Sequence, residues 1–304
     1  MRAIVLEDID KVAIQELPVP TPGSGEVLVR VQASSVNGFD LAVIGGALQG
    51  MVEYEFPITL GKDFAGVVDA VGDGVIEFAP GDEVFGFLPG MALGGAFAEF
   101  AVVPAAPALA PTPKGLEAAP AGALALAGSA AVIAVDAIAP EKGDRVLVVG
   151  AAGGVGSFVV QLLAEVGAHV IATTRTGDDA DYLCDLGAAE VLGPGDPDPE
   201  PVQALVDLAF HPDGADALHA LVAPNGRIAS ATQSADVEGL AAKGITATNI
   251  QSPGDRAILD RLRELVEAGT LRVPVSATFS LGDGPAAVAA QAAHKQGKIS
   301  VSIT

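Results

Sequence analysis

The sequence predicts an α/β protein in which a doubly wound parallel sheet is joined to a smaller β-rich domain. Three observations carry this expectation. Residues 144–175, DRVLVVGAAGGVGSFVVQLLAEVGAHVIATTR, read without interruption as strand, glycine-rich turn, amphipathic helix and second strand. The first hundred residues are instead a run of short strands broken by Pro, Gly and Asp turns. At 304 residues, 50% of them hydrophobic, the chain is long enough for two buried cores.

Taken in order, residues 3–6, 11–16, 26–33, 64–71, 82–85 and 96–103 have strand character. The turns Thr21-Pro-Gly-Ser-Gly25 and Ala79-Pro-Gly-Asp82 punctuate them, which suggests a small barrel or sandwich. Residues 104–113 are a Pro/Ala connector that leads into an alanine-rich helical stretch. Residues 145–149 are a short apolar run of the kind buried in a parallel sheet. Val155, Phe158, Val159, Leu162, Leu163 and Val166 then recur at helical spacing, Gly167 stops the helix, and 169–173 starts the next strand. Further on, 186–192 reads as a helix end feeding a third strand, 193–201 as a loop and 226–230 as another sheet strand. Ser252-Pro-Gly-Asp255 opens a helix, with the Ser252 hydroxyl expected as its cap and Pro253 at its first position. Ile258, Leu259, Leu262, Leu265 and Val266 line one face of that helix as far as Gly269.

Composition excludes several partners. A net charge of −22 disfavours nucleic acid and anionic membranes. Residues 118–135 and 146–164 are uncharged, but Pro120, Gly122 and Gly128 interrupt the first and the glycine turn lies inside the second, so neither is expected to span a membrane. The opening MRAIVLEDIDKVAIQELPVP lacks the apolar region of a signal peptide, so a soluble cytoplasmic protein is expected. Cys184 is the single cysteine; it allows no intrachain disulfide or multi-cysteine zinc site and reads as a packed helix residue.

Gly150-Ala-Ala-Gly-Gly-Val-Gly156 directly follows a strand and opens a helix. In that context backbone N–H groups and the positive end of the helix dipole bind a dinucleotide pyrophosphate, the Rossmann arrangement. Ala151 stands at the first of the usual glycine positions and Gly153 and Gly156 at the other two, with Gly154 and Val155 between them in the expected cradle. The alternative is a turn that merely packs helix on strand. At the end of the second strand an NAD site usually carries Asp or Glu for the ribose 2′-hydroxyl. This chain has Thr173, Thr174, Arg175 and Thr176, whose hydroxyls and guanidinium suit a 2′-phosphate, so NADP(H) is the expected cofactor. The bland alternative makes Arg175 a solvated charge, and Asp178, Asp179 and Asp181 would repel a phosphate that they faced.

Several further motifs occur in a fixed order: Ala33-Ser-Ser-Val-Asn37-Gly-Phe-Asp40, Leu60-Gly-Lys-Asp63-Phe-Ala-Gly66, Pro80-Gly-Asp-Glu-Val-Phe-Gly86, Gly95-Ala-Phe-Ala-Glu-Phe-Ala101, Leu186-Gly-Ala188 and Gly297-Lys-Ile-Ser-Val. With the glycine turn, they make the chain resemble the medium-chain dehydrogenase/reductase superfamily, specifically its zinc-free quinone oxidoreductase branch, over nearly the whole length. The resemblance implies a chaperonin-10-like β-barrel catalytic domain at 1–116, completed by 253–304, around a Rossmann domain at 117–252. It also implies an active site in the cleft between them and a homodimer.

Zinc-dependent relatives place a cysteine after the second barrel strand and a His-Glu pair in the next glycine motif. Here these positions fall within Ser34 to Asn37 and on Lys62 and Asp63. An ammonium is a poor Zn²⁺ ligand and one carboxylate cannot complete the shell, while the histidines at 169, 211, 219 and 294 are scattered. No metal is therefore expected. Without a Lewis acid for an alkoxide, the expected chemistry is hydride delivery from NADPH to a small quinone or enone. Asn37 matches the family's asparagine near the nicotinamide, Lys62 is a candidate cation beside cofactor or substrate, and Tyr54 is a candidate proton donor with aromatic packing as its alternative. Asp40 and Asp63 read as structural. Asn37-Gly38 replaces the usual Asn-Pro and is expected to loosen the backbone, and Ser129 or Ala130 replaces a threonine that contacts the cofactor in relatives. An enoyl-thioester reductase or other tailoring enzyme on the same scaffold, and a non-catalytic NADPH-binding protein, remain as alternatives.

Overall fold

A computed structural model describes residues 1–91, 93–211, 214–293 and 295–303, so His294 lies outside the described residues. The chain forms two compact units, one of Met1–Ser129, Ser252–Gly269 and Val273–Thr304, the other of Ala130–Gln251 and Thr270–Arg272.

The first unit opens with β1 (Arg2–Asp8), β2 (Lys11–Glu16), β3 (Glu26–Val36), helix α1 (Gly38–Ile44), β4 (Ile58–Thr59), β5 (Asp63–Val71), β6 (Glu83–Phe87), β7 (Phe100–Pro104) and β8 (Leu109–Pro111). The strand expected at 96–103 is split. Only Phe100–Pro104 pairs with β3, while the Ile4 N–H donates to Phe97 O and Ala3 bridges to Ala98, tying this stretch to β1. One sheet runs β2-β1-β4. A second carries β3, β5, β6 and β8 in line, with β7 also paired to β3. Alternating apolar residues, among them Ile4, Leu6, Val29, Val31, Phe64, Val84 and Phe97, fill one shared core.

Helix α2 (Ala118–Ile138) is continuous through Gly122 and Gly128, which corrects the expectation that they interrupt it. Pro120 sits in the first turn, where its missing N–H removes no helical bond. The glycines serve close packing: a Cβ at Gly122 would lie 2.7 Å from the Ala33 backbone, and one at Gly128 would lie 2.9 Å from Leu262. By length and composition α2 could cross a membrane, but it is mostly buried inside the protein. The division between units falls within it, at 129/130, whereas the sequence suggested 116/117.

The second unit holds β9 (Arg145–Val149), α3 (Gly156–Glu165), β10 (His169–Thr173), α4 (Ala180–Asp185), β11 (Glu190–Leu192), β12 (Val202–Asp207), α5 (Asp216–His219), β13 (Val222–Ser230), α6 (Val237–Ala241) and β14 (Thr246–Asn249). Its strands pair all-parallel in the order β11-β10-β9-β12-β13-β14, the doubly wound topology that reverses beside β9. Cys184 lies on α4 but is exposed, not packed as expected.

The chain then returns to the first unit through α7 (Arg256–Glu267), β15 (Val275–Ser280), α8 (Gly284–Ala292) and β16 (Lys298–Ser302). Asp255, not Ser252, caps α7: its carboxylate accepts from the Ala257 N–H, and the helix starts three residues beyond Pro253. A carboxylate caps as well as a hydroxyl and also complements the dipole. β16 pairs antiparallel to β3, with Ile299 opposite Val36 and Ser300 opposite Ser35.

Candidate active site

The β3–β5–β16 pairing gathers a buried polar cluster at the end of β3. Asp63, fully buried, is its centre. Its Oδ2 accepts from Ser35 Oγ at 2.6 Å and from Asn37 Nδ2 at 2.9 Å and lies 3.5 Å from Lys298 Nζ, while Oδ1 accepts from the Leu126 N–H at 2.8 Å. Lys298, also buried, donates to Asn37 Oδ1 at 2.5 Å. Burial is the main influence on Lys298 and pulls its ammonium down from the ordinary range, with Asp63 opposing. Every polar atom of the Asn37 amide is therefore engaged, its second N–H bond going to Ser35 O. Asn37 is held by this network, with a rigidity that a free side chain would lack.

Asp40 and Lys62 adjoin the cluster. The Asp40 carboxylate accepts from the Asn37 N–H and the Gly61 N–H, fastening the start of α1 to the turn before β5. Burial pushes its carboxyl up to about 6, and Asp63 adds to that shift. Gly38 occupies the first helical position of α1 with nothing within 4 Å of an added Cβ, so its freedom is not used there. Lys62 is 4% exposed; its ammonium donates to Gly90 O at 3.2 Å and stands 4.5 Å from the centre of the Phe39 ring. Burial lowers it to about 8, with Asp40 opposing. The Tyr54 hydroxyl donates to Val43 O of α1 at 3.1 Å, and its ring packs edge-on to Phe56.

In the second unit the glycine turn has the shape that its composition requires. The left-handed residue is Gly150, with φ of 79°, so the tight turn lies one position before Ala151, which is buried and helps fill the core. The Gly153 N–H donates to Gly150 O, and α3 begins at Gly156. A Cβ on Gly156 would lie 2.3 Å from Gly150 O, so only glycine lets α3 approach β9 this closely. Gly154 and Val155 complete the turn. At the end of β10, Thr174 Oγ1 donates to the buried Asp179 and accepts from the Thr176 N–H. Asp179 is thus turned inward, leaving Arg175 exposed beside Thr173. Ser129 is 2% exposed and its hydroxyl has no hydrogen-bond partner among the described residues, whereas Ala130 is partly exposed. The glycine cradle, with its close approach of α3 to β9, fits a dinucleotide pyrophosphate.

A model of the alcohol dehydrogenase GroES-like domain matches residues 23–114, and one of zinc-binding dehydrogenases matches 166–301. The solved quinone oxidoreductase from Coxiella burnetii superposes with a TM-score of 0.89 at 26% identity, over 100% of this chain and 99% of that one. The chain belongs to the medium-chain dehydrogenase/reductase superfamily. Among members of that superfamily, a chloroplast envelope quinone oxidoreductase homolog of Arabidopsis thaliana is 37% identical over 183 residues, 58% of this chain and 55% of that protein. An acrylyl-CoA reductase of Ruegeria pomeroyi is 38% identical over 191 residues, 60% of this chain and 54% of that protein. These matches span about half the length of the curated relatives.

Sequence reasoning missed Lys298 as a site residue, although Gly297-Lys-Ile-Ser-Val stood among the superfamily's marks. A lysine inside an apolar terminal strand was the available signal, since an ammonium buried there needs a carboxylate.

Proposed function

We propose that the protein is an NADPH-dependent oxidoreductase that transfers hydride to a small quinone or α,β-unsaturated carbonyl without zinc. The observation that carries this reading is the turn after β9, where Gly156 leaves room for α3 to aim its N-terminus at a pyrophosphate. Gly153, Gly154, Val155 and Gly156 would hold the pyrophosphate, and Thr173, Thr174 and Arg175 the 2′-phosphate. When bound, the coenzyme supplies the hydride. The chain's own contribution is an ammonium at Lys62 for the developing negative charge on the acceptor oxygen, held in a dry setting where it acts strongly. Asn37, Asp63 and Lys298 keep the end of β3 in place.

Support for a metal-free reaction comes from the donor set. Both oxygens of Asp63 are already committed to Ser35, Asn37, Lys298 and Leu126, and its neighbour Lys62 offers an ammonium. Among the described residues, no three His, Cys, Asp or Glu side chains gather as metal ligands. The reading carries with it a cytoplasmic homodimer with no nucleic-acid or membrane partner. A second reading, reduction of an enoyl thioester, is favoured by the acrylyl-CoA reductase relative. Following NADPH absorbance with quinones, enones and enoyl thioesters tests both: oxidation with one class selects it, and binding without turnover in all selects a non-catalytic role.

Arg175 makes a separate prediction. Its replacement, Arg175→Ala, is expected to weaken NADPH binding roughly 10- to 100-fold while leaving NADH nearly unchanged, the effect of losing a charge-assisted hydrogen bond. Calorimetric titration of both coenzymes reads this; an unchanged ratio removes Arg175 from the site.

A further inference from the structure

The carboxyl edge of the parallel sheet carries a second polar cluster that the proposed chemistry does not use. Sheet register aligns Val149, Asp207, Ser230 and Asn249 in one row across β9, β12, β13 and β14. Val149 feeds the glycine turn, and the Leu208 N–H donates to Val149 O, so the turn after β12 is stitched to the turn after β9. Asp207, at the end of β12, is completely buried. Its Oδ1 lies 2.8 Å from His211 Nε2 and accepts from the Ala209 N–H, while Oδ2 accepts from Ser234 Oγ at 3.0 Å. Ser234 Oγ is 2.9 Å from Ser230 Oγ, which is 3.2 Å from Thr232 Oγ1. With Ser234 donating to the carboxylate, its lone pairs face Ser230, and the chain of hydroxyls leads away from Asp207 to Thr232.

His211 and Asp207 form one hydrogen-bonded pair with two exits, an imidazole at one end and a hydroxyl chain at the other. The imidazole is partly exposed, whereas the carboxylate is not. His219 stands close enough to feel both, and burial holds it below the ordinary imidazole range despite Asp207 and Asp216. Phe210, beside His211 in the chain, is 81% exposed and offers an aromatic face at the same edge.

We infer that the Asp207–His211 pair sets the relative affinity of the protein for oxidised and reduced coenzyme. This rests on the dinucleotide reading above. If the 2′-phosphate end lies over β10, at Arg175, and the pyrophosphate over β9, then the remaining half of the dinucleotide lies toward β12 and β13, over Asp207 and its hydroxyl chain. The two redox forms differ there by one positive charge, on the nicotinamide ring of the oxidised form. A buried carboxylate at that edge favours the oxidised form, and the imidazole hydrogen-bonded to it draws on the same carboxylate oxygen and tempers the effect.

Separate calorimetric titrations of NADP⁺ and NADPH into the full chain test this, comparing wild type, Asp207→Asn, His211→Asn and His211→Lys. The ratio of the NADP⁺ to the NADPH dissociation constant is expected to rise in Asp207→Asn and fall in His211→Asn. The shift should be roughly 10- to 20-fold in Asp207→Asn, the size of one charge acting over about 10 Å at an effective dielectric near 20, and smaller in His211→Asn. His211→Lys, which fixes a positive charge beside Asp207, should raise the ratio, and it keeps the test decisive if Asp207→Asn does not fold. A purely structural role moves both affinities together and leaves the ratio alone; that result, or shifts of the same sign in both His211 variants, overturns the inference. Absence of binding to either coenzyme in the wild type overturns the parent reading and this one with it.

Discussion

Lys62→Met is expected to abolish most activity while leaving the protein at least as stable as the wild type. Burial holds the Lys62 ammonium at about 8, against an ordinary 10.5. The folded state therefore binds this proton less tightly than the unfolded chain does. The penalty is fully present below about 8, shrinks as pH rises toward 10.5, and is gone above that. At neutral pH it amounts to roughly 3 kcal/mol. Methionine removes it, fills similar volume and loses the contacts of the ammonium with Gly90 O and the Phe39 ring, which offset part of the gain. A net stabilisation of about 1 kcal/mol is expected, read as a raised thermal midpoint at pH 7. Loss of the charge should lower kcat/KM by roughly 100- to 1000-fold, the usual effect of removing one preorganised group that stabilises transition-state charge. A variant that loses stability and keeps its activity would make Lys62 structural.

The same group sets an expected pH profile. In the wild type kcat/KM should fall above about 8, as Lys62 loses its proton. The basic limb should be absent in Lys62→Met, whose residual rate is read across the same range.

The largest stability loss is expected from Asp63→Asn. The substitution leaves Lys298 buried with only Asn37 Oδ1 and Val36 O as acceptors, and breaking a buried pair this way costs about 3–5 kcal/mol. Lys298→Met should be milder, roughly 1–3 kcal/mol, because Asp63 keeps the Ser35 hydroxyl, the Asn37 amide and the Leu126 N–H. The double variant should be more stable than Asp63→Asn alone, since neither charge is then stranded. Denaturant midpoints for the four proteins give the coupling energy directly. Equal losses in the two single variants, or full additivity in the double, would mean that the ion pair does not hold the end of β3 to β16.

The dinucleotide unit was legible because its signals are local. The apolar run 145–149, the glycines at 150, 153 and 156 and the helical spacing of Phe158, Val159, Leu162 and Leu163 all fall within a few turns of one another, and β9, α3 and β10 form where they point. The single cysteine likewise removed intrachain disulfides from consideration. Local patterns misled where packing gave glycine or a carboxylate another purpose. Gly122 and Gly128 read as helix breakers but admit the Ala33 backbone and Leu262 to the surface of α2, and the cap of α7 passed from Ser252 to Asp255.

What the sequence by itself determined is the strand, turn and helix order that makes a nucleotide cradle, together with the residue types available beside it. Only the tertiary structure decided which of those residues meet. Lys298 reaches Asn37 across 261 positions through the β16–β3 register, and Asp207 finds Ser234 and the Val149 row through the parallel sheet. A one-residue slip in either pairing would turn those side chains to the opposite face, so their partnership is a property of register, which no local stretch of sequence contains.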